Sequence, residues 1–152
     1  MILEAVEWSL HRLLHVPAAS RVSAAHSRHH RLYHTTHHYA SRTHIESAAQ
    51  LGLACLLAAW VRGPFAAYVA WAVIVYNTMH WISHTSVWPT VTEYHRAHHR
   101  NVRRNVGVSS PVMDVLCGTM APSFVVSRPL LLLLPAPLSF LAIQRRVAAS
   151  SK

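Results

Sequence analysis

The sequence predicts an all-α, integral membrane protein: a transmembrane helical hairpin carrying a histidine-rich helical cap. Three observations carry this. Hydrophobic residues make up 52% of the chain and charged residues only 12%, against about 25% charged in a soluble domain. Two uncharged apolar stretches flank the turn signal Arg62-Gly63-Pro64. The 14 histidines are concentrated in two tracts, from His11 to His44 before those stretches and from His80, at the end of the second, to His99.

The 152 residues allow one domain, and the apolar content excludes disorder. The formal net charge of +9 comes almost wholly from arginine, the one lysine being Lys152. With apolar stretches this long, an anionic membrane surface is the expected partner of that charge, and nucleic acid is not. Cys55 and Cys117 have no spacing that suggests a disulfide framework and read as reduced, structural thiols. The start Met1-Ile2-Leu3-Glu4 lacks the basic region of a secretory signal.

Taken in order, residues 1–16 read as a helix and 17–46 as a polar, basic, His-rich segment. Residues 47–61 and 63–82 are the two arms of the hairpin. At ~1.5 Å per residue the second arm reaches ~30 Å, one hydrocarbon thickness, and the first only ~22 Å. Five arginines precede the hairpin (Arg12, Arg21, Arg28, Arg31, Arg42), four follow it (Arg96, Arg100, Arg103, Arg104), and only Arg62 lies in the turn. The positive-inside rule then places both His-rich segments in the cytosol. Residues 129–144 form a third apolar run that Pro135 and Pro137 break; it reads as interfacial or re-entrant, with a short span as the alternative. No repeat of 20–50 residues is present.

Four histidine clusters stand out: His11-x-x-x-His15, His26-x-x-His29-His30, His80-x-x-x-His84 and His95-x-x-His98-His99. Residues at i, i+3 and i+4 share one helix face, so each cluster aims several imidazoles at one point. Neutral imidazole suits Fe, Zn, Cu or Ni. Ten imidazoles are too many for one ion and fit two with about five each. The only carboxylates read as lying near the clusters are Glu93 and Glu46. A solvated His-rich tract is the bland alternative, and it needs neither the regular spacing nor the hairpin.

Trp8-x-x-His11-Arg12-Leu13-Leu14-His15, followed by His26-x-x-His29-His30, resembles the first two boxes of the fatty acid hydroxylase/sterol desaturase superfamily. Arg42-Thr43-His44-Ile45-Glu46 resembles the Arg-x-His-Pro-x-Glu element of sterol-modifying members, and Tyr76-Asn77-Thr78-Met79-His80-Trp81-Ile82-Ser83-His84 the third box of fatty acid 2-hydroxylases. The strongest match is His95-Arg96-Ala97-His98-His99, then Asn105-Val106-Gly107, then Asp114-Val115-Leu116-Cys117-Gly118-Thr119. Cys117 stands where that family has Phe. A rival His34-x-x-His37-His38 is set aside, because His26, His29 and His30 fit both the distance from His15 and the offset to His44; His34, His37 and His38 are then bystanders.

The resemblance implies one domain over 1–120 with an apolar, basic tail at 121–152. It implies metal ligands at His11, His15, His26, His29, His30, His80, His84, His95, His98 and His99, with no further catalytic residue. His44, Asp114 and Asn105 are additional or supporting; Asp114 either caps a helix or holds a ligand imidazole by its N–H. It implies two irons (zinc as a substitute), O₂ as oxidant, and an external electron donor such as cytochrome b5. The substrate is then a sterol or fatty acyl lipid of the membrane, hydroxylated or desaturated, in the endoplasmic reticulum if the source is eukaryotic. Family members carry further membrane helices before the first box, where ten residues stand here; a fragment, a minimal form and an inactive remnant are all compatible. Acyl-lipid desaturases and carotenoid hydroxylases also use histidine boxes but not the Asn-x-Gly…Asp tail. A non-catalytic membrane metal-binding or scaffold protein is the alternative from another class.

Overall fold

The computed structural model describes residues 2–16, 21–36 and 63–146, with the isolated helical positions 52, 55, 56, 59 and 60. The first arm of the expected hairpin otherwise lies outside the described residues. Among the described residues the α-helices are α1 (Ile2–Leu14), α2 (Arg21–Thr36), α3 (Pro64–Ser83), α4 (Pro89–Arg100) and α5 (Val112–Leu116).

In α1, Ile2, Val6, Leu10 and Leu13 recur at helical spacing and form one exposed apolar stripe. On the other side Glu7, His11 and the following His15 line up one turn apart. Glu4 in the first turn complements the positive end of the helix dipole. Helix α3 starts on Pro64, whose fixed φ suits the first helical position. Gly63 before it has φ 144°, a conformation side chains disfavour. With 20 residues and a mean hydropathy of 1.2, α3 is long and apolar enough to cross a membrane. Phe65, Tyr68, Trp71, Ile74 and Trp81 are exposed along it, while its last turns bury Asn77, Met79, His80 and Ser83 against the rest of the protein. The helix therefore has a shaft with exposed large side chains, where only Ala66 is buried, and a more closely packed end.

Helix α4 turns back after residues 84–88 and packs on α3. The Thr92 hydroxyl donates to the Thr85 carbonyl across this turn. Its buried residues are Val91, Thr92, Tyr94, His95, Ala97, His98 and His99. Tyr94 is the centre of the apolar core: its ring meets Phe124 at 5.1 Å and Phe140 at 5.4 Å, both tilted edge to face. Met79, Val91, Ala97, Val108, Ala121 and Ile143 complete the cluster.

The chain is mostly helical, but the all-α expectation needs one correction. Phe124–Val126 (β1) and Ile143–Arg145 (β2) pair antiparallel, Phe124 opposite Arg145 and Val126 opposite Ile143. Between them the third apolar run is broken, as its prolines require, into two 3₁₀ turns, η1 (Pro129–Leu133) and η2 (Leu138–Ala142). Neither cysteine is buried: Cys55 and Cys117 are exposed free thiols, not packed structural ones.

Candidate metal centre

The helices deliver imidazoles to a common interior. Helix α1 supplies His11 and the adjoining His15; α2 supplies His26, His29 and His30. The packed end of α3 supplies His80 and the adjoining His84; α4 supplies His95, His98 and His99. Nine of these form two groups, in each of which the candidate ligand atoms lie within 4.8 Å of one another. One group is His11, His15, His26, His30 and His98; the other is His29, His80, His84 and His95. The tenth, His99, stands between them: its Nε2 is 3.0 Å from His95 Nε2 and its ring stacks on His30 at 4.1 Å. His37, His38 and His44 lie outside the described residues, and of His34 only the helical backbone is described.

The distances suit bound metal better than a hydrogen-bonded cluster. His26 Nε2 is 3.1 Å from both His11 Nε2 and His15 Nε2 and 3.2 Å from His30 Nε2, while His15 Nε2 is 3.1 Å from His98 Nε2. A neutral imidazole nitrogen carries either one proton or one lone pair, so a single Nε2 cannot satisfy three such neighbours by N–H···N bonds. With metal–nitrogen distances of about 2.0–2.1 Å, ligand nitrogens at right angles stand about 3 Å apart. In the second group, His84 Nε2 is 3.2 Å from His80 Nε2 and 3.1 Å from His95 Nε2. His29 Nε2 is buried among these rings with no hydrogen-bond partner among the described residues. A cation would engage that lone pair. The residues present therefore fit two metal ions.

The outer nitrogens show how the rings are aimed. His11 Nδ1 donates to the Val106 carbonyl at 2.6 Å and His98 Nδ1 donates to the Arg104 carbonyl at 2.9 Å. Because a carbonyl only accepts, both rings carry their proton on Nδ1 and present the Nε2 lone pair inward. Those carbonyls belong to a loop fastened at Asp114. Its carboxylate accepts from the Val106 and Gly107 N–H groups at 2.9 and 2.7 Å, from the Tyr94 hydroxyl at 2.9 Å, from Trp8 Nε1 at 3.1 Å and from the Thr119 hydroxyl at 2.5 Å. The expectation that Asp114 caps a helix or holds an imidazole directly is thus corrected. It lies inside the first turn of α5 and acts on His11 through the Val106 peptide. Asn105 is likewise a loop latch: at φ 49° it donates to the Tyr94 carbonyl and accepts from the Ala121 N–H. At Gly107 a Cβ would collide with the Ser110 carbonyl oxygen.

Glu7 was not read from the sequence as lying near the clusters, although it sits one helical turn before His11 and shares its face. Its carboxylate accepts from the Val108 and Ser109 N–H groups at 2.8 and 3.1 Å and from the Ser109 hydroxyl. Burial pushes its carboxyl above the usual range, against those hydrogen bonds, which pull it down. Glu93, the acid read as near the fourth cluster, instead pairs with Arg96 and with Arg145 at 3.3 Å.

Burial keeps the imidazoles neutral. Desolvation, reinforced for His11 and His26 by neighbouring imidazoles, lowers His11 to about 3, His15 to about 4, His26 to about 2, His29 to about 4 and His84 to about 3. His30, His95 and His98 are held well below their ordinary range by the same causes. Neutral imidazole is the ligating form.

The chain matches the family model described as fatty acid hydroxylase over residues 1–119. No curated protein and no solved structure matches it.

Two outcomes follow from this geometry. A histidine neutral in the fold but free to protonate once unfolded favours unfolding as pH drops below its ordinary value of 6.5. The stability of chelator-treated protein should therefore be level above pH 6.5 and fall between 6.5 and about 4, each buried histidine adding up to ~1.4 kcal/mol per pH unit. A melting temperature unchanged down to pH 4.5 would contradict this. Separately, Asp114→Asn should weaken metal retention about 10–100-fold, as losses behind ligands do. Tyr94→Phe removes one bond to the same carboxylate and should cost about 1–3 kcal/mol of stability while retaining metal. Equal metal loss in both would remove the case for a peptide-mediated hold on His11.

Proposed function

The chain belongs to the fatty acid hydroxylase family, and we propose on that basis that it is a membrane-embedded, oxygen-dependent oxidoreductase that hydroxylates or desaturates a sterol or fatty acyl lipid at a centre of two iron ions. The observation carrying this reading is the convergence of nine histidines in two groups at the packed end of a helix long and apolar enough to span a bilayer. A nitrogen donor set admits Fe, Zn, Cu or Ni; iron is chosen on the family's chemistry. When bound, the iron pair would activate O₂ toward an unactivated C–H bond, chemistry no side chain supplies, with electrons from an external donor such as cytochrome b5.

The chain's own residues bind, orient and exclude water. His11, His15, His26, His30 and His98 would hold one ion, and His29, His80, His84 and His95, with His99 alongside, the other. The Val106 and Arg104 carbonyls keep two of those rings in the ligating tautomer. An amphiphilic substrate would approach along the apolar shaft of α3, whose last turn carries His80, bringing its tail or ring from the hydrocarbon to the centre. Tyr76, packed beside His80 at 5.8 Å between ring centroids, would line that approach. The arginine asymmetry around the hairpin supports a cytosolic centre, at the endoplasmic reticulum in a eukaryotic cell.

Cells expressing the chain should contain an oxidised sterol or fatty acyl product absent from control cells. His98→Ala should abolish it and deplete bound metal, whereas His37→Ala should leave both. Metal-replete protein with no change in any lipid fraction and no oxygen consumption would replace this reading with the scaffold one. His37→Ala as damaging as His98→Ala, with His29→Ala harmless, would move the second box to His34, His37 and His38.

A further inference from the structure

Beyond the histidines, the segment between β1 and β2 is two-faced. Phe140, Ala142 and Ile143 are buried in the core. The opposite side presents Leu130, Leu133, Leu138 and Leu141 at 79%, 81%, 48% and 45% exposure. Four leucines kept outside while their neighbours fill the core mark an interaction surface. Its surroundings select the occupant. Phe124 and Phe140 share the core cluster with Met79, which immediately precedes His80 at the packed end of α3. Through that shared core the segment is tied to the end of the candidate span. Exposed Arg128 and Arg146 flank the segment, while Arg145 is held by Glu93, which also pairs with Arg96.

We propose that the η1–η2 segment is a membrane-docking surface, its leucines seated in the headgroup region of an anionic bilayer and Arg128 and Arg146 against lipid phosphates. This rests on reading α3 as a membrane span. The seat is coupled to the metal-binding helix: Phe140 packs on Tyr94 and Arg145 binds Glu93, and both partners belong to α4 with His95, His98 and His99. Docking would thus set the height of the imidazoles over the acyl chains.

The test uses the full chain in vesicles of phosphatidylcholine and phosphatidylserine, with Cys55→Ala and Cys117→Ala to remove the exposed thiols. An environment-sensitive fluorophore is attached at Leu133→Cys, and in a second variant at Ile74→Cys on the shaft of α3. The probe at 133 should emit blue-shifted and be quenched more by spin labels near the headgroups than by labels deep in the acyl chains, at about 5–10 Å depth. The probe at 74 should show the reverse preference. Water-like emission at 133 with bilayer emission at 74 overturns the docking surface and leaves the span. Deep quenching at 133 like that at 74 overturns it in favour of a spanning segment. Blue-shifted emission at 133 that no lipid label quenches overturns it in favour of a protein partner. Water-like emission at both positions overturns the membrane reading itself.

Discussion

Five hydrogen bonds converge on the buried Asp114 carboxylate, and the metal centre's scaffold hangs on them. Two come from the Val106 and Gly107 amides, one from Trp8 on α1, one from Tyr94 on α4 and one from Thr119. A hydrogen bond of this kind contributes roughly 0.5–1.5 kcal/mol net, and leaving a buried partner without it costs more. The carboxylate thus joins the first histidine helix, the last histidine helix and the loop between α4 and α5 at one point. Glu7 adds a second clasp between α1 and the same loop. The loop in turn offers the two carbonyls that orient His11 and His98. Gly107 follows from this crowding, since the loop passes too close to Ser110 for a side chain.

Packing so many neutral imidazoles together is costly without a ligand. Their nitrogens approach at 3.0–3.2 Å in contacts that cannot all be hydrogen bonds. A bound metal ion would convert that penalty into coordination, and its binding would then be coupled to folding. Beside the site, Tyr94 packs on Phe124 and Phe140, while the shaft of α3 carries exposed aromatic and aliphatic side chains suited to lipid.

Much of this was legible from spacing. Histidines at i, i+3 and i+4 share a helix face wherever that helix later packs, so the aim of each cluster was legible, while the meeting of the four clusters was only implied by the family resemblance. Helix α3 was legible from its uncharged length and from Pro64. What was not legible depends on contacts distant in the chain. Glu7 meets Val108 across 101 positions and Trp8 meets Asp114 across 106. The Asn105, Gly107 and Asp114 pattern could be seen, but not that Asp114 holds a peptide rather than an imidazole. The strands β1 and β2, three residues each, are too short for a period-two pattern to register.

On the function proposed above, one set of histidines would hold a pair of metal ions with nitrogen ligands alone. X-ray absorption on iron-loaded protein, combined with metal analysis per chain, tests it most directly. Two irons per chain are expected, each in a shell of nitrogen at about 2 Å with the outer-ring scattering of imidazole and no carboxylate or sulfur ligand. A single iron per chain, or a shell dominated by oxygen or sulfur, would contradict it.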